Sequence, residues 1–183
     1  MNRVLVLCAA LALVLGGMSC SNSDLDDDEA VVYLSVTDID YGGGAFVSVC
    51  LGLDAFVETL TITSNVKGGA TTSTAQDVIL TRWVVTPYRT DGGTVASPVW
   101  VRDLDILIPA GGDTSLEGFN YYPAEFYDDP PLLYLFPENG GFDPETGERT
   151  IEQTMRVEWF GHTLSGQNIT LTTNLYFKFA CQW

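Results

Sequence analysis

Apolar and polar residues alternate with a period of two along most of the chain, the spacing of strands with one buried face, and helical spacing is hard to find. Val32, Leu34 and Val36 predict a first strand, closed by the turn Asp40-Tyr41-Gly42-Gly43-Gly44. A second extended segment covers residues 45–53. In a third, Phe56, Leu60 and Ile62 fall on one face and Thr59, Thr61 and Thr63 on the other. Residues 78–88 are rich in β-branched and aromatic side chains, and Thr90-Asp91-Gly92-Gly93 after them reads as a hairpin turn whose central positions need positive φ. Trp100, Leu104, Ile106 and Ile108 alternate with Val101, Asp103 and Asp105. Pro109-Ala110-Gly111-Gly112 then turns the chain into a strand near residues 114–119. Met155, Val157 and Trp159 alternate with Arg156 and Glu158. Beyond a polar turn at 161–168, Ile169, Leu171, Leu175, Phe177 and Phe179 share a face with Cys181.

Seven to nine such strands predict an all-β domain over residues 31–183, built as a two-sheet sandwich of the immunoglobulin or fibronectin type III kind. One stretch breaks the alternation. Between residues 119 and 149 the chain sets Tyr121, Tyr122, Phe126, Tyr127, Tyr134, Phe136 and Phe142 among prolines and carboxylates. An insertion this long inside a compact domain is often a binding loop, and aromatic faces give large contact area at small entropic cost. The same rings equally suit a cap over the open end of the sandwich, with Leu132 to Phe136 as a short edge strand protected by Pro130, Pro131 and Pro137.

The N-terminus has a different pattern. Arg3 precedes an apolar run from Val4 to Leu15, too short to span a bilayer, and the run ends in Gly17-Met18-Ser19-Cys20. This resembles the type II export signal of bacterial lipoproteins, with Gly17 where that family usually has leucine. The resemblance implies removal of residues 1–19 and acylation of Cys20, so that the lipid bilayer becomes a partner. An ordinary export signal that leaves Cys20 as a thiol is the alternative. One acyl chain holds a protein only marginally, and two or more anchor it. Residues 21–30 carry five carboxylates and little apolar surface, the composition of a solvated tether; with Cys20 they form the segment 20–30. Ser21 in place of aspartate matches the pattern for outer-membrane delivery in a cell with two membranes. The expected address is therefore the cell envelope, lipid-anchored.

Charge narrows the partners. The 183-residue chain has 8 Lys and Arg against 24 Asp and Glu, a net charge of −16 that repels nucleic acid and anionic lipid. Of four cysteines, Cys8 leaves with the signal and Cys20 is taken by lipid, so Cys50 and Cys181 are expected to bond in an oxidising compartment. Such a bridge closes a very long loop and contributes about 4 kcal/mol on the chain-entropy account.

Residues 88–93, 108–112 and 157–171 resemble the uncharacterised immunoglobulin-like modules of bacterial surface lipoproteins, a likeness that implies a fold and no activity. No motif supplies catalysis: the lone His162 reads as a turn residue, and no Gly-x-Ser-x-Gly, Cys-x-x-Cys or His-Glu-x-x-His is present. The expectation is a noncatalytic binding or structural module for an envelope protein or glycan, with Tyr121, Tyr122, Phe126, Tyr127, Tyr134 and Phe136 as partner-binding residues and no cofactor. Two alternatives remain. Asp103 and Asp105 offer the paired carboxylates of a glycoside hydrolase, which must flank a sugar cleft. Loop acids, with Asp38 and Asp40 first and Asp128, Asp129, Asp143 and Glu145 behind them, offer oxygen ligands for a Ca²⁺-dependent adhesion module, although no EF-hand spacing occurs.

Overall fold

The computed structural model describes residues 30–182. The expected export segment, Cys20 and all of the acidic tether but Ala30 lie outside these residues, as does Trp183. The described chain forms eight strands: β1 (Val32–Asp40), β2 (Phe46–Ser48), β3 (Ala55–Val66), β4 (Val78–Arg89), β5 (Trp100–Ile108), β6 (Asp113–Tyr122), β7 (Thr150–Thr163) and β8 (Asn168–Ala180). One sheet has the order β1-β3-β6, the other β2-β8-β7-β4-β5. All neighbours are antiparallel except β2 and β8, which run parallel. With β1, β3 and β6 as strands A, B and E, and β4, β7 and β8 as C, F and G, the sandwich is immunoglobulin-like. Strand β5 stays beside C, where a constant-type domain would move its fourth strand to the other sheet.

The core lies between the inner faces, and its centre is Trp83 on β4, fully buried. Its ring lies 5.0 Å from Trp159, 4.9 Å from Tyr121 and 4.9 Å from Phe119, in tilted and edge-on contacts that favour aromatic pairs. Around them the alternating residues of β7 (Met155, Val157, Trp159) and β8 (Leu171, Leu175, Phe177, Phe179) are buried as their periodicity predicts. At the β5 edge, Arg102 points inward and lies 5.4 Å from the Phe119 ring. A cation at that position discourages another chain from pairing there.

Cys50 and Cys181 are bonded, with Cα atoms 5.0 Å apart and a separation of 131 positions in sequence. Cys50 sits in a 3-10 turn (Val49–Leu51) that follows β2, so the segment expected at 45–53 is a strand of only three residues. The bond holds this short edge strand against the end of β8.

Other expectations change where strands are irregular. Phe56 is exposed, because the buried phase of β3 runs through Ala55 and Val57 before switching to Leu60, Ile62 and Ser64. A register shift against β6 between Ala55 and Phe56 accompanies the irregular start. The connection after β4 occupies residues 90–99, not a two-residue turn; Gly92 alone there has positive φ (+96°). Strand β7 runs through Gly161 and His162, leaving a turn at 164–167, so His162 is a strand residue. Gly161 is required by close approach: a Cβ there would come within 2.2 Å of the Ile79 carbonyl oxygen, beside the bulge between Leu80 and Arg82.

Candidate functional site

The aromatic insertion is a plug, not a loop. Three 3-10 turns, Ala124–Asp128, Leu132–Leu135 and Pro137–Asn139, fold over the end of the sandwich, so the edge strand expected at 132–136 is absent. Prolines at 130, 131 and 137 remove the donors a ladder would need. Leu132 and Leu135 are buried beneath.

Three of the six rings expected to contact a partner are buried. Tyr121 belongs to the tryptophan cluster. Tyr122 donates its hydroxyl to the Pro98 carbonyl at 2.8 Å and packs 5.3 Å from Phe126. Tyr127 donates to the Leu53 carbonyl at 2.8 Å and meets Phe179 edge-on. Burial pushes all three phenols well above their usual range. Phe126, Tyr134 and Phe136 are half-buried. The physical reason is that an open sandwich end exposes core atoms, and large rings cover them more cheaply than they could reach out to a ligand. Phe142, not among the six, is the exposed ring of the insertion, at 47%.

A buried charge network fixes the plug. Arg89, the last residue of β4, makes a bidentate contact with Asp91 (2.8 and 2.9 Å) and a 2.7 Å bond to Asp143, with Glu145 at 3.6 Å. The side chains of Arg89 and Asp143 are only 2% and 1% exposed. Asp143 also accepts from the Thr146 hydroxyl and amide, and Glu145 accepts from the Thr94 hydroxyl and from the amides of Thr94 and Val95. Gly93 makes room, since a Cβ there would collide with the guanidinium at 2.3 Å. Burial alone would push the Asp91 and Asp143 carboxyls up, but bonds from Arg89 and neighbouring donors hold both below the usual range. Glu145 is lowered by its Thr94 and Val95 bonds.

Two of the acids considered as calcium ligands, Asp143 and Glu145, gather around the Arg89 guanidinium. Asp40 accepts the Gly42 amide at 2.8 Å within its own turn, and Asp38 is exposed on β1. Among the described residues no group of three or more His, Cys, Asp and Glu side chains converges as a metal site. Asp103 and Asp105 stand two residues apart on the outer face of β5, and Asp103 pairs with Arg82 at 3.5 Å. Neighbours on one strand do not face each other across a cleft, which is the geometry glycoside hydrolysis needs.

Two surfaces carry features that sequence reasoning missed. At the plugged end, exposed Phe46, Leu53 and Phe56 join Tyr41 and Asp54 around a groove of about 200 Å³; the β3 phase switch that turns Phe56 outward leaves no mark in the alternation. The second surface is the outer face of the five-stranded sheet. Tyr88 on β4, Thr154 on β7 and Tyr176 on β8 are in register across it, so two exposed rings flank a threonine. Period-two spacing places Tyr88 and Tyr176 on outward faces but cannot say that they align.

No family model matches the chain. No curated protein matches it either. Among solved structures, a late embryogenesis abundant protein determined in solution aligns over 98% of this chain and 86% of its own, at 10% identity and a TM-score of 0.40. A likeness that weak carries no argument about fold or function.

Proposed function

We propose that the chain is a lipid-tethered envelope lipoprotein whose sandwich acts as a noncatalytic binding or structural module for an envelope protein or glycan. The observation that supports this reading is the opposition of its two ends. Ala30 enters beside residues 66–67, where the Lys67 amide donates to the Val31 carbonyl, together with the turns at 109–112 and 164–167. The plug, the disulfide and the connections at 41–45 and 90–99 all lie at the other end, a strand length away, or about 35 Å. A tether from acylated Cys20 would thus enter at one pole and leave the plugged pole facing outward. Its five carboxylates would keep the body clear of anionic headgroups. No helix among the described residues is long and apolar enough to cross a membrane.

The noncatalytic part rests on the acids: those that lie together are engaged with Arg89, and the β5 pair is solvated. The test is growth with a radiolabelled fatty acid. Label incorporated into the wild-type protein and lost in Cys20→Ala is the expected result; an unlabelled protein recovered from the soluble fraction would overturn the tether.

A further inference from the structure

Among the described residues no other element covers the outer face of the β2-β8-β7-β4-β5 sheet, and its side chains are not those of a generic solvated face. Antiparallel neighbours stand about 4.5–5.5 Å apart, so the register Tyr88, Thr154, Tyr176 sets the two tyrosine backbones about 10 Å from each other. The rings are 47% and 39% exposed. Tyr176 is fixed: its backbone amide donates to the Tyr41 hydroxyl at 3.0 Å, and burial together with the neighbouring Glu152 pushes its phenol up to about 12. Further along the same face, Phe160 (38% exposed) lies beside Thr170 and Arg82 in register. Between the rings stand hydroxyls and amides, namely Thr154, Thr170, Thr172 and Asn174.

Charge identifies the ligand class. Three ion pairs lie on this face: Arg82 with Asp103 at 3.5 Å, Arg156 with Glu158 at 3.0 Å, and Lys178 with Glu152 at 2.9 Å. The face therefore carries three basic side chains against four acidic ones, counting Asp105, in a chain whose net charge is −16. It is a part of an acidic body where charge is nearly cancelled. Such a surface selects neither cations nor anions. Flat, exposed rings in line with hydroxyl and amide groups match the alternating apolar faces and hydroxyl edges of an extended sugar chain.

We infer that the outer face of the five-stranded sheet, centred on Tyr88 and Tyr176, binds an uncharged linear polysaccharide. The sugar rings stack on the two tyrosines, and Thr154, Thr172 and Asn174 supply hydrogen bonds between them. This gives the recognition module proposed above its ligand class, and it rests on that module reading but not on the tether.

Native gel electrophoresis of the full-length chain through gels containing hydroxyethyl cellulose, galactomannan or soluble starch tests it. Retardation by at least one of these neutral polymers is expected, with an anionic polymer such as alginate giving none. Tyr88→Ala combined with Tyr176→Ala should weaken retardation by about tenfold in a chain that still unfolds in one cooperative melt, while the double Tyr→Phe variant, which keeps the rings, retains it. Cys20→Ala should bind as wild type, which separates failure of this inference from failure of the tether. Migration unaffected by all three neutral polymers, or retardation that survives the double alanine variant, overturns the proposal. Photo-crosslinking from position 88 to an envelope protein would overturn it in favour of a protein ligand and leave the module reading intact.

Discussion

Arg89 at the end of β4 and Asp143 in the insertion, 54 residues apart in sequence, meet through a 2.7 Å bond in which neither side chain touches more than a trace of water. The pair makes the aromatic plug part of the sandwich. Asp143→Ala removes one of the carboxylates bonded to Arg89 and leaves the bidentate Asp91 in place, so it should cost about 1.5–3 kcal/mol, read as a lower urea midpoint. Arg89→Met should cost more than Asp143→Ala, because it strips both Asp91 and Asp143 of their shared cation.

The same network sets the acid limit of stability. Asp91 and Asp143 are held below 3.8 and Glu145 below 4.5, their ordinary values. A carboxyl with a lowered folded-state pKa stabilises the fold fully above the unfolded value and loses that contribution as pH falls through the lowered one. Urea midpoints should therefore be flat, as far as these groups are concerned, above about pH 5 and decline below about pH 4. Asp143→Asn should reduce the size of that decline; an identical acid limb in the variant would show that the pair does not govern it.

Two buried tyrosines should respond in opposite directions to loss of the hydroxyl. Tyr127 donates to the Leu53 carbonyl, and Tyr127→Phe should lower stability by about 1 kcal/mol. The Tyr121 hydroxyl is buried without a hydrogen-bond partner, so Tyr121→Phe should be neutral or stabilising in a thermal melt.

Gly161→Ala should destabilise by about 1–3 kcal/mol, because the added methyl meets the Ile79 carbonyl and the Leu80 backbone, neither of which can rotate away. Gly166→Ala meets no atom within 4 Å, and its cost arises from a φ of +92° alone. Comparing the two by denaturant unfolding separates crowding from backbone strain.

Reducing the Cys50–Cys181 bond, which closes a 131-residue span, should cost about 4–5 kcal/mol on the chain-entropy account. Loosening of β2 should come first, since three residues of parallel pairing are little to hold it without the bond. Hydrogen exchange at Val47 and Ser48 under reducing and oxidising conditions measures this.

Period-two alternation determined the fold class, since a half-buried strand needs one apolar row and residues such as Met155, Val157 and Trp159 supply it without reference to distant parts of the chain. Cysteine arithmetic likewise determined the disulfide. What tertiary structure decided is which surface each aromatic residue joins. Tyr121 and Tyr127 are chemically as fit to bind a ligand as Tyr88 and Tyr176; Tyr121 is sealed in the tryptophan cluster between the sheets, and Tyr127 because the insertion folds back over the open end, held by a charge pair whose members are 54 residues apart. The second two align because strands from opposite halves of the chain meet on either side of β7 in a fixed register. Local sequence encodes which way a side chain leaves its strand, whereas what lies beyond it depends on pairing between distant segments, and a single strand carries no record of that.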